Sequence, residues 1–261
     1  MAVDGPKPLS FRRKLALMFT RPVRGCGFWF NLAVTLLWPI FMFGTRVSFH
    51  GTEHIPRHGG VLLAANHIGD LDPLYDTAFV LAAGRVPRFL AKAELWSLPV
   101  VRWVMNGGGH IPVDRSARAT DAFRAAVDAV KRGETVVIYP EGTFTSDPAG
   151  WPMKAKAGIG QLALLTDVPV IPIANWGTQD VLPPDTRRLR VFRRKRVTVV
   201  AGPPVDLSQW RGQARTRANN KAATAAVMAE VTRLVAEIRQ QPPPSEPYDP
   251  DAAGGSATSA G

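Results

Sequence analysis

Short apolar runs alternate with segments whose apolar residues recur at helical spacing from residue 47 onward. Runs of this length are typical of strands buried on both faces of a sheet, and the segments between them suit crossover helices. Strand candidates lie at 60–65, 135–140, 169–176 and 196–202, and helix candidates at 73–83, 119–133, 156–167 and 218–240. The alternation predicts an α/β fold with a mostly parallel or mixed sheet flanked by helices.

The first 45 residues have a different composition from the rest. Residues 25–45 contain no charged side chain, and the segment at 11–19 before them is basic. An uncharged run of this length could cross a bilayer core of about 30 Å, but Asn31 and Pro39 interrupt it. We therefore favour a helix pair that dips into one leaflet over a helix that spans it. The predicted organisation has three parts, namely a membrane-associated N-terminal helical segment at 1–45, a main domain at 46–240 and a disordered tail at 241–261.

The charge balance narrows the possible partners. The chain carries 32 Lys and Arg against 21 Asp and Glu, a formal net charge of +11, with a dense basic run at 187–196. Such an excess suits nucleic acid, an anionic membrane surface or a phosphorylated substrate, although a basic run can also be a solvated face. The basic runs lack the interleaved surface aromatics that stack on bases, so we predict no nucleic-acid partner. A basic run in a chain that also has an apolar anchor is better explained by contact with an anionic membrane surface.

The cysteine and histidine content argues against a metal centre. A single cysteine, Cys26, excludes an internal disulfide and a cysteine-rich metal site. Three histidines recur every fourth residue, at His50, His54 and His58. Gly51 and Pro56 would break the helix that such a spacing requires. We therefore predict no metal and no redox cofactor.

The segment that follows the strand candidate at 60–65 contains the best candidate for catalytic chemistry. On a continuous helix His67 and Asp72 would lie roughly 140° apart, so they meet only if a turn intervenes, and Gly69 supplies one. Asp72 would then accept a hydrogen bond from one imidazole nitrogen while the other takes a proton from a substrate hydroxyl. The structural alternative is that Asp72 and Pro73 simply begin a helix and His67 is a loop residue.

Two further clusters offer anion binding. Arg115 ends the sequence GGGHIPVDR, and its guanidinium suits phosphate, although it could equally form an ion pair at the start of the next helix. Gly142 and Thr143, after Glu141, offer backbone N–H groups to a phosphate or a developing oxyanion, unless this is a plain strand-to-helix turn. A base, an oxyanion site and a phosphate clamp together suit acyl transfer from a thioester to an alcohol.

Four ordered blocks resemble the glycerolipid acyltransferases of the 1-acylglycerol-3-phosphate acyltransferase type. The blocks are NHIGDLD at 66–72, GHIPVDR at 109–115, YPEGT at 139–143 and VPVIPIA at 168–174, and FLAKAEL around Lys92 is also similar. The resemblance implies an acyltransferase domain at 46–240, with the site residues in two groups. It implies that His67 is the general base and Asp72 its partner, and that the substrate-binding residues are Arg115, Glu141, Gly142, Thr143 and Lys92.

The resemblance also implies the reaction and its setting. The acceptor would be a lysophospholipid, 1-acylglycerol-3-phosphate, converted to phosphatidic acid, with acyl-CoA or acyl carrier protein as the donor and no cofactor. The enzyme would sit on the cytoplasmic face of the cell membrane as a peripheral or monotopic protein. The sequence departs from the family at Phe144, where an arginine is usual. A different lysolipid or a glycolipid acceptor is therefore the alternative, and a non-catalytic basic module that binds lipid or nucleic acid is less favoured.

Overall fold

A mixed sheet of seven strands forms the centre of the chain in a computed structural model that describes residues 7–22, 25–114, 119–186 and 188–254. The strands are β1 Arg46–His50, β2 Val61–Ala65, β3 Pro87–Lys92, β4 Ile111–Val113, β5 Thr135–Ile138, β6 Val170–Trp176 and β7 Arg196–Ala201. Their order is β1-β7-β6-β2-β5-β3-β4, and every neighbouring pair is parallel except β6 and β7. The predicted α/β class with a mixed sheet is confirmed.

Helices cover both faces of this sheet. They are α1 Phe11–Thr20, α2 Phe28–Gly44, α3 Asp72–Ala82, α4 Pro99–Gly107, α5 Ala119–Lys131, α6 Gly158–Thr166, α7 Thr178–Val181, α8 Arg217–Arg239 and α9 Pro250–Gly254. Alternate residues of β2 point to opposite faces. Leu63 belongs to a core shared with α2 and α3, and Leu62 to a core shared with α5, α6 and α8. Because the strand is buried on both sides, it appears in the sequence as an unbroken apolar run.

The sequence pattern missed the strands β1 and β4 and the helices α4, α7 and α9. Both strands lie at the edges of the sheet, and β4 has only three residues, so neither produces a long apolar run. The segment after α3, for which the sequence predicted no element, forms β3 and then a 3-10 helix, Ala93–Ser97.

The N-terminal segment forms two helices that contact each other. The Lys14 ammonium on α1 is buried and donates to the carbonyl oxygens of Met42 and Thr45, at the C-terminal end of α2. The indole N–H of Trp38 donates back to the Lys14 carbonyl oxygen at 3.2 Å. A cation at this end of α2 satisfies carbonyl groups that lack helical partners. Among the described residues, we find no helix with both the length and the apolar character needed to cross a bilayer.

The structure differs from the sequence-based expectation in the tail, which makes a contact, and in the basic run, which has an exposed aromatic ring. In the segment expected to be disordered, the Tyr248 carbonyl oxygen accepts a hydrogen bond from the Lys154 amide at 2.9 Å, and residues 255–261 lie outside the described part. Within the basic run, Phe192 is 80% exposed. The expectation that the basic runs lack surface aromatics was therefore wrong at this position.

Candidate functional site

The central strands deliver the predicted site residues to one edge of the sheet. β2, β5, β3 and β4 are parallel neighbours, so their carboxyl ends lie side by side, about 4.8 Å apart from strand to strand. His67 follows β2, Gly142 and Thr143 follow β5, and Lys92 ends β3. Arg115 follows β4 in the sequence but lies outside the described residues.

His67 and Asp72 meet directly. Nδ1 of His67 lies 2.8 Å from Oδ2 of Asp72, and that oxygen also accepts the backbone N–H groups of Ile68 and Gly69, at 2.6 and 2.9 Å. The hydroxyl of Thr178 donates to the other carboxylate oxygen. Four donors around a fully buried carboxylate stabilise its ionised form. An ionised Asp72 requires the proton on Nδ1 of His67, which leaves Nε2 as the basic nitrogen.

Two aromatic rings fix the imidazole plane. The Tyr139 ring stacks on His67, with centroids 4.0 Å apart and planes 13° apart. The Phe144 ring packs edge-on, with centroids 4.4 Å apart. The side chain of His67 is 15% exposed, so the ring keeps a narrow opening to the outside.

Glu141 holds the main chain of His67 and does not line the cavity described below. One carboxylate oxygen accepts the backbone N–H of His67 and the other that of Met153, each at 2.9 Å. The Thr145 amide in turn donates to the His67 carbonyl oxygen at 2.7 Å. Burial raises the pKa of Glu141 to about 7, although its two backbone hydrogen bonds act in the opposite direction. Both backbone groups of His67 are therefore bound to the segment that follows β5.

The turn after β5 also brings a second lysine to the site. Gly142 has a φ of +77°, and its N–H donates to the Tyr139 carbonyl oxygen at 2.9 Å. A Cβ atom at Gly142 would lie 3.4 Å from Nζ of Lys156. Glycine is favoured here by the positive φ. The exposed Lys156 ammonium thus lies beside the turn.

A cavity of about 580 Å³ connects these groups. His67, Lys92, Gly142, Thr143 and Phe144 are part of its lining. One face of α2 supplies much of the remaining wall with apolar side chains, at Phe30, Val34, Leu37, Trp38 and Phe41. The site therefore joins a basic imidazole to a space that suits an alkyl chain, with a lysine on its lining.

Sequence reasoning missed the supports that come from β6 and from α7. Thr178 on α7 reaches Asp72, and Asn175 on β6 exchanges hydrogen bonds with Asn66, whose side-chain oxygen accepts the Asn175 amide at 2.9 Å. Asn66 directly precedes His67, so this pair fixes the chain at the exit of β2. The polar residues directly after the strand candidate at 169–176 were the available signal, because strand ends are where such residues gather.

Comparison with known proteins places the same region in one family. A protein-family model described as Acyltransferase matches residues 46–176. The chain is 30% identical over 141 residues to the chloroplastic 1-acyl-sn-glycerol-3-phosphate acyltransferase BAT2 of Brassica napus, covering 53% of this chain and 39% of the relative. It is 26% identical to the 1-acyl-sn-glycerol-3-phosphate acyltransferase of Streptococcus pneumoniae, covering 68% and 61% respectively. The chain therefore spans less than two thirds of the length of these relatives.

A solved structure has a similar fold. The crystal structure of the 1-acyl-sn-glycerophosphate (LPA) acyltransferase from Thermotoga maritima matches with a TM-score of 0.55 and 26% sequence identity. The match covers 85% of this chain and 86% of the other, so it extends well beyond residues 46–176.

Proposed function

Because this chain belongs to the acyltransferase family, whose model matches half of its residues, we propose that it acylates 1-acylglycerol-3-phosphate. In this reaction a fatty acyl group moves from an acyl thioester to the free hydroxyl and gives phosphatidic acid. The observation that carries the proposal is the 2.8 Å contact between Nδ1 of His67 and Asp72 at the edge of an apolar cavity. The two relatives and the protein of similar fold are named for the same acceptor.

The reaction needs one group that first accepts a proton as a base and then donates it as an acid. Nε2 of His67 takes the proton of the acceptor hydroxyl while the oxygen bonds to the thioester carbonyl carbon, and Asp72 stabilises the imidazolium that forms. The tetrahedral intermediate then breaks its C–S bond, and His67 returns the proton to the leaving thiolate. Every atom and proton is accounted for, so we propose that no metal or redox cofactor takes part. General-base catalysis of this kind contributes about 10²–10⁴ in rate.

The phosphate of the acceptor would bind at the cationic rim. Lys92 lines the cavity and Lys156 lies beside Gly142. We propose that Lys92, Arg115 and the turn at 142–143 bind the phosphate, assisted by Lys156. Both oxygens of Glu141 already accept backbone N–H groups, so its proposed role is to position His67.

We also propose that the protein works on an anionic membrane surface, on the cytoplasmic face of the cell membrane, where acyl-CoA or acyl carrier protein can deliver the donor. Large apolar side chains are exposed on α1, on α2 and around α4, at Phe11, Phe19, Phe28, Leu36, Leu98 and Val100. Together with the net charge of +11, they support contact with anionic lipid.

A different acceptor remains the second candidate because of Phe144. Its ring is 37% exposed, lines the cavity and packs edge-on against His67. An apolar side chain beside the base favours an acceptor whose nearby part is uncharged, such as another lysolipid or a glycolipid. Relative rates on 1-acylglycerol-3-phosphate, other lysophospholipids and a monoacylated glycolipid separate the two candidates.

The direct test is transfer of a labelled acyl group to 1-acylglycerol-3-phosphate by the detergent-solubilised protein, with acyl-CoA or acyl carrier protein as the donor. His67→Ala should reduce the rate at least about 100-fold, because it removes the base. His58→Ala, the same change at an exposed histidine, is the matched control and should leave the rate unchanged. Full activity in His67→Ala would contradict the mechanism.

A further inference from the structure

A second aspartate lies behind the site, one helical turn from Asp72. Asp76 follows it by four residues on α3, so the two carboxyl groups share one face of the helix. Both are buried, with 0% and 1% exposure. Two buried carboxylates on one face of a helix repel each other when both are ionised, which favours a proton on one of them.

The hydrogen bonds decide which aspartate holds that proton. Within the part of the chain that the structure describes, Asp72 accepts four hydrogen bonds, whereas Asp76 accepts one, from the hydroxyl of Tyr139 at 2.7 Å. The other oxygen of Asp76 is buried and has no hydrogen-bond partner among the described residues. An unpaired buried oxygen is far less costly on a neutral carboxyl group than on an ionised one. This pattern of hydrogen bonds favours the proton on Asp76.

Electrostatics act in the same direction. Burial raises the pKa of Asp76 well above its ordinary value of 3.8, and the charge of Asp72 raises it further. The Tyr139 hydrogen bond opposes this shift only in part. Among the described residues, the titratable groups that act on Asp76 are thus Asp72 on its own helix and Tyr139 after β5.

Tyr139 connects Asp76 to the base. Its hydroxyl is held by Asp76, and its ring stacks on His67. The hydrogen bond to Asp72 fixes one edge of the imidazole, but a single bond still allows the ring to tilt about it. The stacked phenol ring removes that freedom.

We propose that a protonated Asp76 and Tyr139 form a neutral buried clamp that positions His67 and leaves Asp72 as the ionised member of the aspartate pair. The part that concerns catalysis rests on the proposed function, whereas the protonation of Asp76 does not. Asp76 and Tyr139 are positioning residues, because each acts through His67.

The first test uses thermal unfolding and needs no activity. Asp76→Asn keeps the shape of the side chain and is always neutral. A carboxyl group whose pKa is raised in the folded state stabilises the fold fully when the pH is below its pKa in the unfolded chain. This contribution is lost as the pH rises toward its pKa in the folded state. The Tm of Asp76→Asn relative to wild type should therefore increase from about pH 4 upward, by about 3–5 °C per pH unit. A difference that stays constant with pH would overturn the proposal.

The second test measures transfer kinetics. Asp76→Asn should keep kcat within about two-fold of wild type, with a superimposable pH–rate profile, because the clamp is already neutral. Asp76→Ala loses the anchor of Tyr139 and should lower kcat about 10- to 100-fold with little change in KM, as expected for a mispositioned base. Tyr139→Phe, which keeps the stacked ring, should retain more activity than Tyr139→Leu.

The two tests distinguish a failure of the clamp proposal from a failure of the proposed function. If Asp76→Asn is as inactive as Asp76→Ala, a charged Asp76 is required and the clamp is wrong. If neither the wild type nor any variant transfers acyl groups, the proposed function is wrong. The Tm values of wild type and Asp76→Asn across pH still decide whether Asp76 holds the proton. Unfolding curves for Asp76→Ala exclude simple loss of the fold as the cause of its lower kcat.

Discussion

Two parts of the site differ in how their polar side chains are held. The carboxylate of Asp72 is buried under four hydrogen bonds, whereas Lys92 and Lys156 are exposed and form no ion pair with any described residue. The first arrangement leaves the His67–Asp72 pair a single geometry. The second leaves the cations free to adjust to what they bind. We infer that the chemical step is fixed by the fold and that the choice of acceptor lies in the less constrained rim.

The largest effect should come from removing the charge of the buried part while keeping its shape. In Asp72→Asn the amide oxygen can remain toward His67, Ile68 and Gly69, because the Thr178 hydroxyl can accept the new NH₂ group as readily as it donates now. Only the stabilisation of the imidazolium is then lost. We expect kcat to fall at least about 100-fold, the lower range of general-base catalysis, measured as acyl transfer.

The matched control for this change is Asp76→Asn, the same substitution one turn away, which should have little effect. If the two variants lose the same activity, charge does not distinguish the two aspartates, and the comparison between the fixed and adjustable parts loses its electrostatic basis.

Glu141 gives the next largest effect, on stability. Its pKa of about 7 in the folded protein exceeds the ordinary value of 4.5. The carboxyl group therefore contributes fully to the stability of the fold below pH 4.5, and this contribution is lost as pH rises toward 7. The shift corresponds to at most about 3 kcal/mol in the free energy of unfolding.

Chemical denaturation between pH 4.5 and 8 measures this contribution. The experiment is best done in the Asp76→Asn background, since Asp76 titrates with the same sign. Adding Glu141→Gln should remove the loss of stability that Glu141 causes between pH 4.5 and 7, whereas the opposite contribution of His110, whose pKa is lowered to about 4, remains. An equal slope with and without Glu141→Gln would show that the carboxyl group behind His67 is not held as the structure indicates.

The part of the site that could be predicted from the sequence is the part that is local. His67 and Asp72 lie five residues apart with Gly69 between them, so their contact needs one turn and no knowledge of the sheet. Thr178 reaches Asp72 only because β6 lies beside β2, and strand order is not written in the apolar pattern. Glu141 was expected to face the acceptor, but the direction of its carboxylate depends on the backbone amides that surround it.

The strands of the sheet likewise fall into those that the sequence predicts and those that it does not. The buried strands β2, β5, β6 and β7 follow from continuous apolar runs, because both of their faces are covered. The edge strands β1 and β4 lack that signal, since each pairs with a single neighbour. Local propensity and burial on both faces were thus sufficient for these four strands and insufficient for the edge strands and for β3, which is only partly buried.

The smallest effect should come from the rim, and it should depend on the acceptor. Lys92→Ala removes one exposed cation that lines the cavity, so KM for 1-acylglycerol-3-phosphate should rise about 5-fold, equivalent to ~1 kcal/mol, with kcat nearly unchanged. Lys221→Ala, an exposed lysine on α8 at the opposite face of the sheet, is the matched control and should change neither constant. With a monoacylglycerol acceptor, which has no phosphate, Lys92→Ala should leave KM unaltered. A fall in kcat with both acceptors would instead mean that Lys92 takes part in the chemical step, and the rim would then be as constrained as the His67–Asp72 pair.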